Sequence, residues 1–66
     1  MQITLNGEQR EINPDTTVTA LVKELGLADQ ACAVEVNKAL ITKRNHDTHT
    51  LTQGDTVELV TLVGGG

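Results

Sequence analysis

Residues 15–27 read Asp15-Thr16-Thr17-Val18-Thr19-Ala20-Leu21-Val22-Lys23-Glu24-Leu25-Gly26-Leu27. Val18, Leu21, Val22 and Leu25 fall at i, i+3, i+4 and i+7, one apolar stripe on a helix of about 3.6 residues per turn. Asp15, Thr16 and Thr17 are candidate N-caps, because a side-chain oxygen there can accept from free amides of the first turn. Gly26 stands where a left-handed residue ends a helix, and Leu27 is placed to fold back on the last turn. A helix with one apolar stripe needs a layer to lie on, so the fold is decided by what flanks it.

Toward the N-terminus the period changes from helical to two. Ile3 and Leu5 alternate with Gln2 and Thr4, as in a half-buried strand. Asn6-Gly7 is a hairpin signal, since both central residues of a type I′ turn need positive φ. Residues 8–12 read as a polar returning strand with Ile12 inward, ended by Asn13-Pro14-Asp15. On the other side of the helix, residues 33–37 alternate again as a third strand. Asn37-Lys38 is a turn and Leu40-Ile41 a short fourth strand. Residues 43–50 are polar and irregular, with Leu51 an isolated apolar anchor after them. Gln53-Gly54-Asp55 is a tight turn, and residues 56–62 form the strongest strand, expected at the centre of the sheet. The order β-β-α-β-β-β predicts an α+β domain over 1–62, with one main helix on one face of a mixed sheet of four to five strands. A hairpin feeding a crossover helix further predicts one parallel strand pair. This is the order of the β-grasp, or ubiquitin-like, architecture.

Composition narrows the function. The chain has 66 residues, a formal net charge of -4, one Cys, one Pro and no aromatic residue. One small domain of this size leaves few side chains for a deep catalytic cavity. The acidic balance argues against nucleic acid and anionic membranes, and base-stacking platforms are absent. A lone Cys forms no internal disulfide, which suits a reducing cytoplasm. Neither a secretory leader nor a membrane span is expected. Cys32 has no base or cation beside it in sequence, so it reads as a small semi-buried residue before a strand. His46, Asp47 and His49 have a spacing seen in metal sites, but no further cluster completes four ligands, so they read as a solvated loop and no metal is expected. The carboxylates are scattered, and no pair is spaced as an acid/base couple.

The remaining distinctive feature is Val63-Gly64-Gly65-Gly66, directly after the strongest strand. Glycine is costly to order, so a flexible tail over 63–66 is expected. Extended, it reaches roughly 13–14 Å. Such a tail can thread a narrow channel into another protein's active site, which makes the Gly66 carboxylate the expected reactive group. Strand parity adds a surface. If Val57 and Leu59 face the core, Val60 and Leu62 lie on the other sheet face, as a small apolar docking patch beside the tail.

Taken together, the N-terminal hairpin, the helix after DTTVTALVKELG, the central AVEVNKALITK, the LTQGDTVELV run and the terminal VGGG resemble the ThiS-type sulfur carriers of bacterial thiamine biosynthesis. The resemblance covers essentially the whole chain. It implies that the protein is a carrier rather than an enzyme and binds no cofactor itself. It implies an E1-like adenylyltransferase that uses ATP and magnesium to adenylate Gly66, with Gly64 and Gly65 giving access. A cysteine desulfurase or sulfurtransferase system then supplies sulfur for a Gly66 thiocarboxylate, which thiazole synthase consumes. Two alternatives stay open: a small-subunit-type carrier of molybdopterin synthase, and a ubiquitin-like modifier or interaction module.

Overall fold

The computed structural model describes residues 1–62. The strands are β1 (Gln2–Leu5), β2 (Glu8–Glu11), β3 (Cys32–Val36), β4 (Ala39–Ile41) and β5 (Thr56–Thr61), and the helix is α1 (Val18–Glu24). They form one five-stranded sheet in the order β2-β1-β5-β3-β4, so β5 is central as expected. β1 and β5 run parallel, and the other neighbouring pairs are antiparallel.

Local chemistry explains the elements. Asn6 and Gly7 both have positive φ, 50° and 84°, as a type I′ turn requires. Asn37 and Lys38 repeat this between β3 and β4, at 52° and 71°. Thr17 is the residue that caps α1, its side-chain oxygen accepting from the Ala20 amide at 3.1 Å. Thr16 instead turns inward and donates its hydroxyl to the Asn13 carbonyl at 2.6 Å. At the other end Gly26 takes φ 76°. Its amide reaches the Lys23 carbonyl and the Leu27 amide reaches the Val22 carbonyl, both at 3.0 Å, which is a Schellman closure.

The core lies between α1 and one sheet face. Val18, Leu21 and Val22 of the helix meet Ile3, Val34, Val36, Val57 and Leu59 of the strands. Ile12 and Leu51 close the ends of this layer from outside the regular elements. Leu25 and Leu27 pack against its edge.

One segment departs from its expected character. Residues 43–50 contain a turn of 3₁₀ helix, Lys43–Asn45, and serve as a cap for α1. The Val18 amide donates to the His49 carbonyl and the Thr19 amide to the His46 carbonyl, each at 3.0 Å. The Thr19 hydroxyl also donates to the Asp47 carboxylate. Two helix amides left without intrahelical partners are thereby satisfied. His46 is therefore not part of a solvated loop: it is only 9% exposed, with Nε2 3.0 Å from the Ile41 carbonyl. A carbonyl only accepts, so that nitrogen carries the hydrogen and ties the segment to β4. The sequence pattern missed this because a polar run with one inward imidazole has no apolar periodicity to mark it.

Candidate functional site

Among the described residues, no helix lies over the second face of the sheet. Strand register determines what stands there. Across β3 and β5, Ala33 pairs with Val60 and Glu35 with Glu58, and Glu35 also pairs with Leu40 of β4. Directly paired residues share a face. These five side chains therefore lie on the side opposite to Val34, Val36, Val57 and Leu59, which are buried. The large apolar members stand well out: Leu40 is 62% exposed and Val60 is 57% exposed. Leu62, just beyond β5, is 54% exposed, and its amide donates to the Ala31 carbonyl at 2.7 Å. Val60 thus stands on the face that parity assigns it, and Leu62 is exposed just past the end of the strand. Gly64, Gly65 and Gly66 lie outside the described residues.

Side-chain amides of both hairpin turns brace β5 beneath this face. β1 pairs with β5 only at Thr4 and Leu5. Beyond that point the Asn6 amide substitutes for a strand residue. Its Oδ1 accepts from the Leu59 amide at 2.8 Å and its Nδ2 donates to the Leu59 carbonyl at 3.0 Å. Asn37 anchors the start of β5 in a different way. Its Oδ1 accepts from the Thr56 amide at 3.0 Å, and its Nδ2 donates to the Asp55 carboxylate at 3.0 Å. Both residues read in the sequence as turn formers alone. The missing signals are contacts between residues 53 apart for Asn6 and 18 and 19 apart for Asn37, which no local pattern carries.

Other candidates gather elsewhere. Cys32 is half-buried, opens β3 rather than preceding it, and pairs with Thr61. With Thr19, Val22, Lys43, His46 and Asp47 it lines a cleft of about 200 Å³ beside α1. Its thiol contacts the Gln30 carbonyl at 3.6 Å. Among the described residues, no group of three or more His, Cys, Asp or Glu side chains is placed to hold a metal ion. No helix among them is long and apolar enough to cross a membrane.

Comparison with known proteins identifies the family. The model of the ThiS family matches residues 3–66. The chain belongs to the ThiS family. This ThiS-family fold superposes on a crystal structure of the thiamine biosynthesis protein ThiS from Geobacter metallireducens with a TM-score of 0.81. The two are 30% identical, and both chains are covered completely. Over all 66 residues the chain is 36% identical to a thiazole synthase of Paramagnetospirillum magneticum and 38% identical to one of Magnetococcus marinus. It spans 20%, about a fifth, of the length of each of these two relatives. The family match extends over Gly64, Gly65 and Gly66, and the β-grasp reading of the sequence stands.

Proposed function

We propose that this protein is a sulfur carrier of thiamine biosynthesis, with Gly66 as its reactive carboxyl terminus. The observation that carries the reading is membership of the ThiS family over residues 3–66, through the terminal glycines. A carboxylate is a poor electrophile. In the proposed cycle an E1-like adenylyltransferase, with ATP and magnesium, joins the Gly66 carboxylate to AMP and releases pyrophosphate. AMP is a good leaving group. A persulfide drawn from a cysteine desulfurase displaces it, forming an acyl disulfide with the partner's cysteine. A second thiol attacks that cysteine sulfur and leaves a Gly66 thiocarboxylate, the cysteine ending as a disulfide. The carrier then passes the sulfur to thiazole synthase in the cytoplasm.

Every catalytic group in this cycle belongs to a partner, so the domain's task is to be held while Gly66 reacts. The open face supports that task, with Val60 and Leu62 as docking residues and Gly64 and Gly65 as the narrow access segment. That two relatives with a stretch 36% and 38% identical to this chain are named thiazole synthase favours the thiazole pathway over the molybdopterin one.

Intact mass tests the chemistry. After incubation with ATP, cysteine, a cysteine desulfurase and the adenylyltransferase, one oxygen of the carrier is expected to be exchanged for sulfur. Removal of Gly66 should abolish the exchange and leave the fold intact. Rescue of a thiamine auxotroph by the form lacking Gly66 would overturn the mechanism. Rescue by the full chain of a strain lacking the molybdopterin carrier, and not of the thiamine strain, would reassign the pathway.

A further inference from the structure

The open face carries an arrangement that its own fold does not explain. Glu35 and Glu58 are paired directly across β3 and β5, and both are exposed. Like charges directly opposite on neighbouring strands destabilise a sheet. Among the described residues neither carboxylate takes part in an ion pair, since the two pairs present join Met1 to Glu11 and Arg10 to Glu24. Relief within the face is not available. Arg10 pairs with Ile3 and so shares the helix-covered side. No strand position of the open face carries Lys or Arg.

The carboxylates border a recess. Ala33, Glu35, Glu58 and Val60 line a notch of about 90 Å³ in the sheet surface. It exists because Ala33 stands opposite Val60, a small side chain where a larger one would level the face. Two of its lining residues are apolar and two are acidic. Val60 borders it on one side, and Leu40 lies beyond Glu35 on the other. A cation on a short apolar stem has this shape and polarity. A second copy of the chain does not, because it would bring acid against acid at a net charge of -4 each.

We propose that Glu35 and Glu58 receive one arginine side chain of the protein that docks on the open face, with the arginine's methylene stem in the notch over Ala33. The proposal rests on the carrier reading and names the chemistry of its partner. A guanidinium presents five donors in a planar fork and can bridge two carboxylates at once. Docking removes water from the pair, where an unneutralised double negative charge opposes binding. The two glutamates therefore select partners: a surface with arginine at this point is accepted, and a neutral or acidic one is rejected.

The test uses the full chain and the purified E1-like adenylyltransferase of thiamine biosynthesis, with affinity measured at low and high salt. The Glu35→Gln/Glu58→Gln double variant should bind roughly tenfold or more weakly, with a flattened salt dependence, because neutral side chains no longer attract the cation. Its thermal midpoint should rise, because the repulsion is gone. A pair that is merely structural does not combine higher stability with weaker binding. Ala33→Leu, which fills the notch, should also weaken binding while leaving the salt dependence in place. Changing the partner's surface arginines singly to glutamine should find one that reproduces the double variant, weaker binding and flattened salt dependence together. Unchanged affinity and salt dependence in the double variant, or no such arginine, overturns the proposal while the carrier reading survives. Absence of wild-type binding overturns the carrier reading itself, and that outcome is distinct from equal binding by wild type and variants.

Discussion

The two faces of the sheet meet along one strand. On β5, Val57 is 0% exposed and Val60 is 57% exposed, though they are the same residue type three positions apart. Val57 fills space under α1 with Val18, Leu21 and Val34 as fellow core residues. Val60 touches the notch beside Ala33 and faces outward. The covered face is chosen for volume, since a packed core registers the loss of single methyl groups. The open face keeps aliphatic side chains in water and two carboxylates in opposition, neither of which helps an isolated domain. Burial on one side carries the fold, and exposure on the other is free to serve recognition.

Matched substitutions break this comparison most sharply. Val57→Ala should lower stability by about 1.5–3 kcal/mol, from lost burial and the cavity left behind. Val60→Ala should change it by less than about 0.5 kcal/mol, as surface substitutions do. Urea unfolding followed by far-UV circular dichroism is the measurement, because the chain has no aromatic residue to report tertiary structure. Equal losses at the two positions would mean that something in the chain covers the open face. Binding to the adenylyltransferase should show the reverse order, with folded Val60→Asp weakened most.

The next test lies between the faces, at the turn that braces β5. Asn6→Gly keeps a residue suited to φ 50°. It removes the amide that holds both the Leu59 amide and the Leu59 carbonyl. Two backbone groups that lose their partners should cost about 1–3 kcal/mol by the same measurement. A loss within error would show that water replaces the amide without penalty. This position also marks how far the sequence is readable. The Asn6-Gly7 turn, the stripe on α1, the Gly26 stop and the parity of β5 follow from local spacing, and all four are present in the structure. The brace at Leu59, the burial of His46 and the opposition of Glu35 and Glu58 depend on register between distant segments, which spacing does not contain. Of the candidate site, the outward face of Val60 was legible through parity. The glycines at 64–66 were legible through composition and lie outside the described residues.

The smallest expected effect sharpens the contrast by pH. Asp55 is a buried carboxylate at the entry to β5, and the open-face glutamates are exposed. Burial alone would raise the Asp55 carboxyl. Hydrogen bonds from the Thr52 amide, the Asn37 amide group and the Thr52 hydroxyl, with the charge of His49, oppose it and bring the net value below the usual 3.8. The amide bond is 2.8 Å and the other two are 3.0 Å. A carboxyl depressed in the folded state binds its proton more readily in the unfolded chain. Its stabilising effect is therefore complete above the unfolded pKa and is lost as pH falls through the folded one. The stability difference between wild type and Asp55→Asn should accordingly be at its fullest near about pH 5 and shrink steadily below about pH 4. Taking the difference removes the titration of the other carboxylates, which both proteins share. A difference that grows on acidification would mean that burial outweighs the three hydrogen bonds. The neutral form of Asp55 would then be the one the fold prefers, and the loop from Thr52 to Asp55 would be held by its backbone rather than by its charge.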